Sequence, residues 1–221
     1  PHVLVSYFWD ENNKLVSKEN HFAWQVFFRN GSSLEIHFDP QFDRLDEPFA
    51  IRRRPLLPAV TIPTGRHNYY FYALELGSDP SRVLSGNFTL EKGRYYTGNR
   101  NSWNLSGTIR SSYRFVIEPK YTLNRIGLSG VTVNGAAGRA TVFSTHLASA
   151  RLSWYFSTRA YLSALLQYNS DRKQMTSNIR FNFIHHPLSD LFLVYNEARD
   201  AGGTQRTDKT VSLKYTRMFA Y

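Results

Sequence analysis

Glu35, Asp39 and Asp43 stand four residues apart in one run of alternating polar and apolar residues, LEIHFDPQFD. In an extended strand, positions two apart share a face, so these carboxylates project to one side with His37 and Gln41 between them. Leu34, Ile36, Phe38, Pro40 and Phe42 take the other side. The same phase, carried along the chain, turns Glu75, Glu91 and Glu118 to the polar face in the segments up to residue 127. Arg151, Arg180 and Lys214 face the same way in the later segments, with Arg29, Arg110 and Lys120 elsewhere on that wall. If the face lines water, an acid-rich wall and a base-rich wall set up a transverse field that orients and filters polar solutes. If the enclosed space is narrow, the same groups pair and fill it. Both outcomes stay open at this level.

Other constellations carry less. Ser144 and His146 share a face and could pair as nucleophile and base, but no third polar group stands beside them to orient the imidazole. No catalytic residue is therefore expected. His185 and His186 are adjacent, so in a strand they point to opposite faces and do not share an ion easily; with no Cys in the chain, no metal site and no cofactor are expected. A net charge of +10 raises nucleic acid as a partner, but the basic residues are scattered singly apart from Arg52, Arg53 and Arg54, and no nucleic-acid role is read.

The elements that must hold the charged face are strands. No stretch approaches the roughly 20 apolar residues of a membrane helix, and the mean hydropathy is −0.43. Instead, alternation persists over segments of about ten residues, the length of a tilted strand crossing a bilayer. Met175, Ile179, Phe181 and Phe183 oppose Thr176, Asn178, Arg180 and Asn182; Val211, Leu213, Tyr215, Phe219 and Tyr221 oppose Thr210, Ser212, Lys214 and their successors. Twelve strands result, near 2–9, 15–30, 33–45, 66–77, 81–96, 102–112, 114–127, 140–157, 159–169, 174–186, 190–199 and 209–221. A soluble sandwich buries one face of each sheet, but here the outward faces are apolar from strand to strand. Lipid offers no hydrogen-bond partner to the backbone, so such a sheet must close. The expectation is one domain over 1–221, an all-β, transmembrane, antiparallel up-and-down β-barrel of about twelve strands.

The connections are expected to alternate. Asn30-Gly31, Ser78 to Pro80, Ser111 to Tyr113, Ser157-Thr158 and Pro187 to Ser189 read as short turns. Leu45 to Thr64, Thr97 to Asn101, Ser129 to Arg139, Ser170 to Lys173 and Ala201 to Asp208 read as long extracellular loops. An even strand count puts both termini on the periplasmic side of a bacterial outer membrane. Pro40 and Pro119 suggest bulges. Arg52, Arg53 and Arg54, on the loop side with Arg66, Arg94, Arg100, Arg139, Arg172 and Lys173, are candidate contacts to lipopolysaccharide phosphates, since guanidinium groups bind such oxygens in pairs. Trp9, Tyr70, Tyr96, Trp103, Trp154, Phe156 and Tyr168 fall toward strand ends, where aromatic rings meet the two interfaces. The last segment, KTVSLKYTRMFAY, ends on an aromatic residue, as strands read by the barrel-assembly machinery do, with Tyr221 in place of the commoner Phe.

The segments YFSTR, LQYNS, SNIRFNF and SDLFLVYNE, with FRNGSSLEIHF, AVTIPTG and GRYYTGNR upstream, resemble a bacterial outer-membrane barrel family of unknown function. Its members often carry an amino-terminal carbohydrate-binding module of family 9 type. The resemblance implies location and architecture, and no reaction. Family barrels run longer than twelve strands, so the chain is expected to be a complete barrel or the carboxy-terminal part of one, closed by a further segment or another subunit. The function expected is a pore or transport channel for small polar or saccharide-like solutes, in contact with outer-membrane lipid. A non-conducting structural or ligand-binding barrel is the alternative, and a phospholipase-like hydrolase a more distant one. Twelve-stranded outer-membrane phospholipases place His before Ser, the reverse of Ser144 and His146.

Overall fold

A computed structural model describes residues 1–54, 57–202 and 207–218, with the side chains of Arg53, Arg54 and Leu57 outside that description. The described chain is an all-β, antiparallel, up-and-down sheet. Its elements are β1 (His2–Trp9), β2 (Leu15–Phe27), β3 (Ser33–Leu45), β4 (Phe49–Arg54), β5 (Leu57–Ile62), β6 (Gly65–Gly77), β7 (Leu84–Tyr95) and β8 (Gly98–Ser112). They continue with β9 (Phe115–Val133), β10 (Ala136–Tyr155), β11 (Ala160–Asn169), β12 (Gln174–His186), β13 (Ser189–Asp200) and β14 (Asp208–Tyr215). Each of the twelve strands read from alternation is present, in sequence order. The count becomes 14 because the segment read as one long loop, Leu45 to Thr64, holds the hairpin β4–β5, which leaves the main path β1-β2-β3-β6-β7-β8-β9-β10-β11-β12-β13-β14. Phe219 and Tyr221, the aromatic end of the last strand, lie outside the described residues.

The chain divides into two compact units, one of Pro1–Asp79, Asn87–Leu105 and Thr122–Thr145, the other of Pro80–Gly86, Ser106–Tyr121 and His146–Tyr221. In the first, the pairings of β2 with β3 and of β3 with β6 stack like with like. Trp24 faces Ile36, which faces Leu74, while on the opposite face Gln25, Glu35 and Glu75 align. In the second, Trp154, Leu162, Phe181, Leu193 and Leu213 form one apolar rung across five strands, and the neighbouring rung is Ser153, Ser163, Arg180, Val194 and Ser212. A slip of one residue in any pair would mix the two sets, so register and face are specified together. Pro40 makes no bulge toward β6, because the ladder from Ser33 to Leu45 runs through it without a shift. β1 pairs on one side only, with β2, and β14 on one side only, with β13, among the described residues.

Two connections read as long loops are tight turns. Tyr96-Thr97 joins β7 to β8, and Asn134-Gly135 joins β9 to β10 with φ of 50° and 83°. Two successive positive φ values are what a two-residue hairpin of matching twist requires, and Asn-Gly supplies them. Polar and Gly-rich composition had disguised strand ends as loops. Gly98, the first residue of β8, already lies against Gly127 and Leu128, so the end of β9 outruns its neighbour. β5 takes that free flank, pairing Val60 with Val133 and Thr61 with Thr132. Val60, Ile62 and Val131 are wholly buried there, with Ile126, Leu128 and Phe143 around them. This is the apolar core of the first unit. It lies on the polar side of the sheet, for Ile126 and Phe143 share their face with Asn124 and Thr145, whose side chains hydrogen-bond.

Gly93 sits opposite Phe71, where a Cβ would run into the backbone carbonyl of Tyr70. Gly93→Ala should therefore destabilise the refolded protein by about 1–3 kcal/mol, the usual cost of overpacking. Urea unfolding in detergent micelles followed by tryptophan fluorescence measures it, and an unchanged midpoint would mean that β6 and β7 are farther apart.

Candidate functional site

The polar face is the candidate site, and in the first unit its carboxylates are held by neighbours on adjacent strands. Register does this: with Glu19 opposite Gln41 and Ala23 opposite His37, His21 comes beside Asp39. The Asp39 carboxylate spans two imidazoles, Oδ1 at 2.7 Å from His21 Nδ1 and Oδ2 at 2.8 Å from His37 Nδ1. His37 is buried, and its Nε2 lies 3.7 Å from Glu75 Oε1. On the other side His21 Nε2 lies 3.7 Å from Glu35 Oε1 and 3.1 Å from His2 Nε2. Among the described residues, two overlapping sets here have the spacing to hold a cation, His2 with His21 and Glu35, and His21 with His37 and Asp39.

Asp43, further along β3, accepts three hydroxyl hydrogen bonds: from Ser17 at 2.9 Å, Tyr69 at 2.6 Å and Tyr96 at 2.9 Å. The phenol rings of Tyr69 and Tyr96 lie 4.9 Å apart, and Phe49 of β4 lies 6.2 Å from Tyr96, so the hairpin roofs the cluster. Burial pushes the Tyr96 phenol well above its ordinary range, and the hydrogen bond to Asp43 adds to the shift. Beside it Glu91 accepts from Arg100 at 2.8 Å, with the guanidinium 4.1 Å above the Phe71 ring and 4.9 Å above Tyr95, a cation–π stack. The acidic row is thus engaged locally by imidazoles, phenols and one arginine. Arg100 was expected among loop cations. It stands on the polar face because β8 begins at Gly98.

The second unit carries the basic members. Arg151, Arg180 and Lys214 are exposed on alternate strands, β10, β12 and β14, as are Glu118 and Lys120 on β9. Arg110 is placed differently from expectation: its guanidinium donates to the carbonyls of Pro80 and Arg82, at 2.9 and 3.1 Å, and anchors the turn after β6. Arg29 lies in the turn between β2 and β3. Beside the charges, on the same rungs, stand amides and hydroxyls that a search for charge passes over. One rung is Arg151, Leu165, Asn178, Asn196 and Thr210; the next is Ser149, Gln167, Thr176, Ala198 and Asp208. Asn178 donates to Asn196, and both line a groove of about 270 Å³ together with Gln167, Thr176, Glu197 and Asp208. The sequence signal was present as Asn, Gln and Thr at every second position.

The remaining candidates separate. His146 is paired through Nδ1 with the Tyr121 hydroxyl at 2.7 Å, and His185 through Nε2 with the Tyr215 hydroxyl at 3.2 Å. Arg52 turns its guanidinium onto the Phe143 ring, 4.9 Å from the centroid, which draws it into the packing of the hairpin; the side chains of Arg53 and Arg54 lie outside the described residues. Of the aromatic residues assigned to interfaces, Trp9, Trp154, Phe156 and Tyr168 are exposed, whereas Tyr96 belongs to the Asp43 cluster.

Asp43→Ala would leave the Tyr69 hydroxyl, on a residue only 8% exposed, without its acceptor. A buried unsatisfied hydroxyl costs about 1–3 kcal/mol, so the urea midpoint should fall accordingly, and Asp43→Asn, which keeps an acceptor oxygen, should fall less. Equal losses would mean that the cluster depends on charge alone.

No protein-family model matches the chain. No curated protein matches it either. Among solved structures, a porin described as NanC, in a rhombohedral crystal form, is similar at 7% sequence identity, covering 91% of this chain and 94% of that one, with a TM-score of 0.38.

Proposed function

We propose that this chain is a bacterial outer-membrane β-barrel whose polar face lines a path for small polar or saccharide-like solutes. One observation carries the reading: in each unit, large apolar side chains are exposed on the face opposite the polar one. Trp24 and Ile36 are more than half exposed, as is Leu213 at the end of the five-strand rung. Water makes such a belt costly over many strands, and hydrocarbon makes it favourable. The opposite face supplies amides, hydroxyls and charges that replace water around a polar solute, with the Asn178–Asn196 groove, lined also by Glu197 and Asp208, as the part rich in amides. The main path holds an even number of strands, so both ends of the chain fall on one side, taken as periplasmic. Lipid would also demand a partner for every backbone group of β1 and β14.

A second reading, a barrel that does not conduct, is favoured by the hairpin. β4 and β5 lie on the polar side of the first unit and roof the Asp43 cluster, so they narrow or close whatever path that face borders.

Planar-bilayer recording of the refolded chain tests the first reading, with stepwise ion current expected and its absence from folded protein counting against it. Replacing residues 50–61 by a short Gly-Ser linker should raise the conductance several-fold; an unchanged current would put the hairpin outside the path. Hydrogen exchange in lipid nanodiscs examines the membrane claim itself. Amides of Val3, Val5, Val211 and Leu213 should be protected, and fast exchange at both edges would be incompatible with strands immersed in lipid.

A further inference from the structure

We propose that His2, His21 and Glu35 form a binding site for a divalent first-row transition-metal ion, with Asp39 orienting the His21 ring. The site stands on three adjacent strands, β1, β2 and β3, and it does not depend on whether the barrel conducts. A metal held at about 2.0–2.1 Å by imidazole nitrogen and carboxylate oxygen needs its ligand atoms roughly 3.0–3.4 Å apart. His2 Nε2 and His21 Nε2 are 3.1 Å apart, and His21 Nε2 lies 3.7 Å from Glu35 Oε1. All three ligand atoms lie within 4.8 Å of one another, so small side-chain rotations bring them onto one ion.

The support behind the ligands is already in place. A metal-binding imidazole usually donates its other N–H to a carboxylate, which fixes the tautomer and aims the free nitrogen at the ion. His21 has that arrangement: Nδ1 meets Asp39 Oδ1 at 2.7 Å, leaving Nε2 turned toward His2 and Glu35. Asp39 is itself steadied through Oδ2 by His37, at 2.8 Å. The alternative grouping of His21, His37 and Asp39 suits hydrogen bonding better than ligation, since both nitrogen–oxygen separations are shorter than the edge of a coordination polyhedron. Two imidazoles and one carboxylate prefer Zn²⁺, Ni²⁺, Co²⁺ or Cu²⁺ over Ca²⁺ or Mg²⁺, which take oxygen ligands. His2 is exposed, which leaves the site open to water for entry and for a further ligand. His2 also lies on β1, which pairs with β2 alone among the described residues, so the ion would tie this edge strand across β2 to β3.

The test is metal uptake by the full chain refolded in detergent, using Zn²⁺ for calorimetry and Co²⁺ or Cu²⁺ for spectroscopy. One ion per chain is expected, with Cu²⁺ hyperfine structure from two nitrogens and a higher unfolding temperature in Zn²⁺ than in a chelator. His21→Ala and Glu35→Gln should each lower affinity at least a hundredfold, and Asp39→Asn ten- to a hundredfold. His185→Ala, on another strand, should change nothing. The proposal is overturned if the unmodified chain takes up no Co²⁺, or if His21→Ala retains its affinity and spectrum. His21→Gln keeps a polar group beside Asp39 in case the alanine variant fails to fold. Should both variants fail, the nitrogen count from the unmodified protein decides, and a spectrum without nitrogen ligands overturns the proposal.

Discussion

The backbone ladder between neighbouring strands is the interaction on which everything else here depends. Once each N–H and C=O is committed sideways to the next strand, side chains can only stand above or below the sheet, alternating at every residue. That geometry lets a chain of negative mean hydropathy carry an apolar face within each unit. It also explains why the apolar rung from Trp154 to Leu213 and the amide rung from Arg151 to Thr210 keep apart over five strands. Each rung is a consequence of register, and register is held by the rungs on either side.

The same ladder creates a local problem that the hairpin solves. β9 and β10 are 19 and 20 residues long, and the end of β9 runs past Gly98, the start of β8, which would leave one flank of β9 unpaired. β5 covers that flank, and Asn134 secures it by donating from its backbone to the Ala59 carbonyl while its side chain accepts from the Ala59 amide. Val60 and Ile62 then add the burial that a lone two-stranded ribbon lacks. The apolar core of the first unit thus arises from completing an edge, on a face that alternation marks as polar.

Charge on the polar face follows a similar rule of proximity. Asp39, Asp43 and Glu91 take their partners from the same strand or from one or two strands away, because a side chain on a sheet reaches its same-face, opposite and diagonal neighbours and little farther. The partners include His37, Tyr69 and Tyr96 as well as Arg100, groups that formal charge ignores. Within the first unit the hydrogen-bonded carboxylates therefore direct part of their field at their own neighbours.

Alternation by itself determined the fold class and the twelve strands of the main path, for a period of two is a local property that each segment reports independently. Strands 2–9, 33–45 and 174–186 have the bounds that pattern implied. It also placed Glu35, Asp39 and Asp43 on one wall. Only tertiary structure decided what those carboxylates meet. His21 and Asp39 are 18 residues apart and Asp43 and Tyr96 are 53 apart, and their meeting depends on the register of intervening turns. The hairpin β4–β5 was illegible for a related reason: Val60 and Ile62 lie in a short run flanked by Arg and Pro, and nothing local reveals that β9 offers an edge to receive it. Asn134-Gly135 was legible and could have been read as a turn, since its dipeptide carries the signal without help from the fold. The grouping of His2, His21 and Glu35 was not, because three strands must pair in register before their ligand atoms come together.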